Sequence, residues 1–393
     1  MGRRLAVRSV LALAAPILVL AATPVQAQPQ LIDFLGANIA TIQAQLLQAR
    51  GMEAAAAAQA AAATQQAMQQ AMQQGLSQTM SLANSLRASM SSIAADMSQM
   101  TASLHANSCP VFAGQTTLLT EDSCVWTKVT GRKVNQFAAD FHTESATFRV
   151  GGQKEIAAGW FLGGLVGFGS SWSQAGLGAS ASGQTVEGAV ALKHVAGPWF
   201  LSGVLGLATT SLHMDRPDGV PGSSTRLQSD SSSFQGMGRA RAAYDFAFAG
   251  WYVRPRFDLD LTYTSLPGYQ ESGASPLALS VSGNDKLSVA LTPTVEVGGR
   301  TNLSDTLILR PYLALGASFM PDNSSTMVAS FQGPLGALGS FQTTFTGPSV
   351  LANVEIGVQL YEVRGFEAKL DYTLSAGDSF LSQGLSLRGA WHF

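Results

Sequence analysis

Five histidines and one Gly-Asp-Ser segment hold the side chains that catalysis would need in this chain. Gly377-Asp378-Ser379-Phe380-Leu381-Ser382 reads like a hydrolase nucleophile block, in which the serine requires a histidine base and an acid to orient that base. The block lies between two alternating runs near the C-terminus, and only His392 follows it. Asp and Gly are also what a tight connection prefers, so a turn accounts for the block without chemistry. His105, His142, His194, His213 and His392 show no His-Glu-x-x-His or other paired ligand spacing, which predicts no metal site. Gly176-Leu-Gly-Ala-Ser-Ala-Ser-Gly183 joins two strand-like runs instead of opening a helix, so it is a poor phosphate cradle, and no cofactor is expected.

The two cysteines, Cys109 and Cys124, are separated by 14 residues that include Pro110 and Gly114. Their chemistry depends on compartment. Arg3, Arg4 and Arg8 precede an apolar stretch from Leu11 to Ala22 and small residues at Val25 and Ala27, the order of an export signal cut after Ala27. The apolar core is short for a membrane span, and Gln28-Pro-Gln follows at once; an uncleaved anchor is the other reading. In an oxidising compartment the cysteines pair, and closing a loop of about 15 residues stabilises the fold by roughly 3 kcal/mol in the chain-entropy account. Two free thiols are the alternative.

Positioning elements follow from hydropathy. The 393 residues are 46% hydrophobic and 12% charged, with 23 basic against 25 acidic side chains, so nothing advertises a polyanion and nucleic acid is excluded as a partner. No mature segment holds the roughly 20 continuous apolar residues of a membrane helix. From Cys124 onward the apolar residues alternate. Trp251 to Thr264 sets Trp251, Val253, Phe257, Leu259, Leu261 and Tyr263 on one side, with Arg254, Arg256, Asp258 and Asp260 on the other. Phe234 to Phe248 sends Arg239, Arg241 and Asp245 away from Tyr244, Phe246 and Phe248, and Phe366 to Leu374 turns Glu367, Lys369 and Asp371 to the polar face. The last run puts Leu385, Leu387, Gly389, Trp391 and Phe393 on one face and Ser386, Arg388, Ala390 and His392 on the other.

Twelve such runs are predicted: Val125–Val134, Thr143–Val150, Trp160–Trp172, Thr185–His194, Trp199–Leu212, Phe234–Phe248, Trp251–Thr264, Leu287–Val297, Leu307–Phe319, Val350–Leu360, Phe366–Leu374 and Leu385–Phe393. Alternation alone fits a sandwich as well as a barrel. The even count, flanking aromatics such as Trp160, Trp172, Trp199 and Trp251, and polar rows carrying both signs of charge favour a mainly β, twelve-stranded antiparallel transmembrane barrel. Short connections at Ala196-Gly197-Pro198, Ala249-Gly250, Asn302 to Thr306 and Arg364-Gly365 alternate with long ones at Asp215 to Ser233, Leu266 to Lys286 and Met320 to Gly347. Short turns face the periplasm in such barrels and long loops face outward.

Before the barrel, residues 28–123 are rich in Ala, Gln, Ser and Met, lack Pro between Gln30 and Pro110, and include near-polyalanine from Ala54 to Ala63, which predicts helix. Ala83, Leu86, Met90, Ile93, Met97, Met100 and Leu104 follow heptad spacing. A short coiled coil and a helix threaded through a pore both fit that seam. Ala83 to Asn107 spans roughly 37 Å as helix, enough to cross a membrane.

Cys124-Val-Trp-Thr-Lys-Val-Thr-Gly-Arg132, Gly151-Gly-Gln-Lys-Glu155, Trp160 to Gly169 and the terminal Leu-Arg-Gly-Ala-Trp-His-Phe393 stand in one order after a signal and an N-terminal segment. In this the chain resembles the translocator barrel of monomeric autotransporters, the type V secretion family, over Val125 to Phe393. The resemblance implies a barrel with a helix through its lumen, and a terminal row of Leu385, Leu387, Gly389, Trp391 and Phe393 read by the barrel assembly machinery after delivery by periplasmic chaperones. It departs from the family in its passenger, which is short and helical. Some relatives cut their lumenal helix at an Asn-Asn step; here only Asn84-Ser85 is present, so no cleavage is expected.

The resulting organisation is signal peptide 1–27, helical passenger 28–82, lumenal helix and cysteine-bracketed linker 83–123, and barrel 124–393. The expected role is a non-enzymatic outer-membrane barrel, embedded in lipid, that displays or translocates its own N-terminal segment. A passive channel whose N-terminal helix stays in the periplasm is the alternative, and an outer-membrane hydrolase assembled across loops is the enzymatic one. The lumen-facing residues are Arg239, Arg241, Arg254, Arg256, Asp258, Asp260, Glu367, Lys369, Asp371 and Arg388.

Overall fold

The computed structural model describes residues 40, 41, 43–66, 68–70, 73, 109–137, 140–218, 223–322, 324–362 and 365–393. The export signal, the heptad seam from Ala83 to Leu104 and the Asn84-Ser85 step lie outside the described residues. Residues 43–66, which include the alanine-rich run, are α-helical.

Alternating sequence becomes alternating exposure in the barrel. Its strands are β1 Cys124–Gln136, β2 Phe141–Ala157, β3 Trp160–Ala175, β4 Ala179–Ala196, β5 Trp199–Pro217, β6 Arg226–Tyr244, β7 Trp251–Leu266, β8 Asn284–Gly299, β9 Leu307–Phe319, β10 Val350–Glu362, β11 Phe366–Gly377 and β12 Phe380–His392. Each pairs antiparallel with the next. β12 returns to β1 with Phe380 opposite Gln136 and His392 opposite Cys124, so twelve strands close into a ring without an open edge. That closure separates barrel from sandwich: every strand of the ring has a hydrogen-bonded neighbour on both sides, as a hydrocarbon environment demands.

The outer face of β5 shows why lipid is its solvent. Leu205 and Leu207 are 68% and 58% exposed, whereas Val204 and Ala208, which flank them, are buried. An exposed apolar stripe of this kind, repeated on all twelve strands, is the reverse of a water-soluble surface. Beyond Leu207 the outward residues turn polar at Thr209, Ser211 and His213, although the strand continues. β5 has 19 residues, a contour of about 60 Å, while roughly 10 tilted residues cross a bilayer. β4, β5 and β6 therefore stand as a high wall above the membrane, and β10 to β12, with 12 or 13 residues each, do not.

The long connections differ from the expected loops. Asp215 to Ser233 is mostly strand, because the pairing of β5 and β6 runs out to Pro217 opposite Arg226. The connections after β7 and β9 fold into a four-stranded sheet of Tyr269–Gln270, Leu279–Val281, Ser324–Phe331 and Ser340–Thr346, in that order. This roof buries Tyr269, Leu279, Val281, Met327 and Phe331 against Leu212 and Met214 on the inner face of the high wall. Sequence showed polar, turn-rich segments there; their apolar residues acquire a core only because the wall beside them is tall.

Candidate functional site

The lumen is the site, built by the inward residue of every alternating pair. Arg239 and Arg241 of β6 stand directly opposite Asp260 and Asp258 of β7. Antiparallel register turns Arg-x-Arg and Asp-x-Asp into two matched pairs. Arg241 donates from Nε and Nη2 to the two carboxylate oxygens of Asp258 at 2.5 and 2.7 Å, and Arg239 engages Asp260 in the same two-pronged way. Arg254 does so with Asp245, at the break that ends β6 before Phe246–Ala247.

The remaining inward charges form a second lattice. Glu296 of β8 accepts from Arg310 at 2.5 Å, Arg256 at 3.0 Å and the Tyr252 hydroxyl at 2.6 Å. Arg256 also donates to Glu355 at 3.0 Å, and Lys369 lies 2.9 Å from Asp371. Arg388 donates to Glu367 at 2.6 Å, and Glu367 also accepts from Gln359 and faces His392. Of the ten residues expected to face the lumen, Arg256 and Lys369 are half-buried and the other eight buried, and each has a hydrogen-bonded or ionic partner of opposite charge. A buried charge without such a partner costs several kcal/mol, which is the physical reason the two signs occur in register.

Two tyrosines fit slots made by glycine. Tyr252 faces Gly298 across β7 and β8, and Tyr312 faces Gly357 across β9 and β10. A Cβ at either glycine would fall on the neighbouring tyrosine ring or hydroxyl. The rings therefore lie flat against the wall, and each hydroxyl reaches a carboxylate: Tyr252 to Glu296 and Tyr312 to Glu355.

Above the lattice is a cavity of about 440 Å³, lined by Arg239, Asp258 and Asp260 below and by Met327 of the roof. Arg216 pins the roof to the high wall, donating to both oxygens of Glu271 at 2.7 and 2.6 Å and to the Leu277 carbonyl at 3.0 Å. Burial, with the Glu271 carboxylate beside it, pushes the Tyr269 phenol well above its usual range, so that side chain is neutral.

At the end that carries both strand termini, Cys109 is bonded to Cys124 with Cα atoms 5.9 Å apart. The bond closes a small hairpin of Pro110–Phe112 with Leu119–Glu121. The outward row of β12 holds Leu385, Leu387, Trp391 and Phe393, each more than half exposed, with Gly389 between them. Trp160, Trp199 and Trp251 ring the same end, also facing out.

No catalytic arrangement forms around the Gly-Asp-Ser block. Asp378 and Ser379 are the two-residue turn between β11 and β12, and His392 is at the far end of the 13-residue β12, about 40 Å away. Sequence reasoning passed over Glu121, Gln153, Lys193, Arg149, Glu187, Glu296 and Arg310, all buried in the lumen. The signal was available for several: Arg149 stands between Phe148 and Val150, and Glu296 between Val295 and Val297, which marks an inward charge in an alternating strand. Glu121 precedes the barrel, so no periodicity could find it.

The sequence matches the Autotransporter beta-domain family over residues 125–373. Among solved structures, the translocator domain of autotransporter NalP from Neisseria meningitidis is similar in fold, with a TM-score of 0.60 at 13% identity, over 78% of this chain and 98% of that one. The beta domain of the Bordetella autotransporter BrkA has a TM-score of 0.53 at 19% identity, over 70% of this chain and 100% of that one. No curated protein matches. Both likenesses bear on the fold, which in this chain is a closed ring of twelve strands with a polar lumen. With its lipid-facing outer surface, and with the family matched across most of the ring, this chain belongs to the autotransporter beta-domain family of the outer membrane.

Proposed function

We propose that the barrel anchors its own N-terminal segment in the outer membrane and displays or translocates residues 28–82 at the cell surface. The observation that carries this is the point of attachment. The segment joins β1 at Cys124, at the end with the C-terminus and the short turns, directly beneath a polar lumen. A chain leaving there has the lumen as its covered route outward, and the short-turn end is the periplasmic one in such barrels.

The passive-channel reading fits less well, because an ion path is lined by charges that face water. Here the inward arginines and carboxylates are paired at contact distance. In the favoured reading lipid covers the outward stripe, and the barrel assembly machinery, with periplasmic chaperones, meets the row Leu385, Leu387, Gly389, Trp391 and Phe393. The test is an epitope inserted after Gln30, labelled on intact and on permeabilised cells. Labelling of intact cells is expected; labelling only after permeabilisation would replace display with a periplasmic helix.

A further inference from the structure

The hairpin between the two cysteines touches the barrel on every side. Beside β2 and β4, Glu121 accepts from Gln153 at 2.6 Å and from Lys193 at 3.0 Å, all three side chains buried. Across the mouth, the buried Thr117 directs its hydroxyl at the carbonyls of Phe248 and Trp251, 2.8 and 3.0 Å away, in the turn from β6 to β7. Arg300, in the turn from β8 to β9, donates to the carbonyls of Gly114 and Thr116 at 2.6 and 2.8 Å and to the Gln115 side chain at 3.2 Å. The same guanidinium lies 5.1 Å over the Phe112 ring, which meets Tyr361 of β10 edge-on at 5.8 Å. At the hairpin's root, Ser123 accepts from the backbone of Phe393.

Contacts at β2, β4, the β6–β7 turn, the β8–β9 turn, β10 and the C-terminus surround the ring. A peptide of this length can reach all of them only by lying across the opening. A dangling linker would not bury Thr117 or have two of its backbone carbonyls satisfied by a side chain from a turn so far along the chain.

We infer that residues 109–123 form a fitted stopper for the periplasmic mouth of the barrel, held shut by the Cys109–Cys124 bond on the β1 side and by Arg300 and Thr117 on the opposite side. Its function is to block solute flow between periplasm and lumen while the chain stays attached to β1. The disulfide shortens the free span of the hairpin, which keeps its tip within reach of Arg300. This rests on the placement of the barrel in the membrane and not on the fate of residues 28–82, so a negative epitope result leaves it standing.

The experiment is planar-bilayer conductance of the full chain in potassium chloride, for wild type, Arg300→Ala with Thr117→Val, and Cys109→Ser with Cys124→Ser. Each protein is first checked for the heat-dependent gel shift of a folded barrel. The wild type is expected to be nearly closed, and both variants to show a several-fold rise in mean conductance. Cells producing the variants should also become sensitive to a bulky hydrophilic antibiotic that the outer membrane normally excludes. Folded variants that conduct like the wild type, or a wild type already open, would overturn the stopper. Because Arg300→Ala with Thr117→Val keeps the disulfide and the strands intact, poor folding of the cysteine variant alone leaves the test decisive.

Discussion

Replacing Asp258 by Asn removes one charge from the lumen while keeping nearly the same shape. Arg241 then retains a single acceptor where it had two, and its guanidinium, 5% exposed, loses its counter-ion. The surroundings make matters worse: Arg241, Arg254, Arg256, Arg310 and Lys369 line one small space, with Glu296 and Glu355 as the only acids there among the described residues. Breaking a buried pair from one side costs about 3–5 kcal/mol, or roughly 150- to 4,000-fold in the folding equilibrium. Removing both charges has a different sign, because neither desolvation cost remains. Arg241→Leu with Asp258→Leu should lie within about 1 kcal/mol of the wild type, or above it. Both are measured by urea titration of protein folded into lipid vesicles, reading tryptophan emission and the heat-dependent gel shift. An Asp258→Asn cost below about 1 kcal/mol, or a double variant as unstable as the single one, would refute the claim that lumen charges are retained as matched buried pairs.

Gly298→Ala should cost about 1–3 kcal/mol in the same titration, because the new methyl group falls on Tyr252 and drives its hydroxyl off Glu296; Gly389→Ala, where a Cβ meets nothing, should cost far less. Glu271→Ala strands the buried Arg216 and should make residues 267–283 and 320–349 protease-sensitive on intact cells while β1 to β12 stay protected; unchanged resistance would mean the roof does not depend on that pair. Deleting Phe393 removes the exposed terminal aromatic and should lower the amount of barrel in outer-membrane fractions; normal amounts would remove that residue from the assembly signal.

The twelve strands were legible in the chain because a transmembrane wall has lipid on one side and polar groups on the other, so every second residue reports its side. Arg239, Asp258 and Arg388 could be assigned inward from their neighbours alone, and the terminal row on β12 outward. The cysteine pair and its spacing were equally local facts. Pairing was not legible. That Arg241 meets Asp258 depends on the register of β6 against β7, and that Glu296 serves three donors depends on side chains from β7 and β9 converging on it. Gly298 reads as a weak strand residue until Tyr252 is seen lying on it. The roof and the hairpin across the periplasmic mouth were furthest from view, since neither has a period. Their apolar and charged residues find partners on walls and turns up to 186 residues away along the chain, and only ring closure brings those surfaces within hydrogen-bond distance.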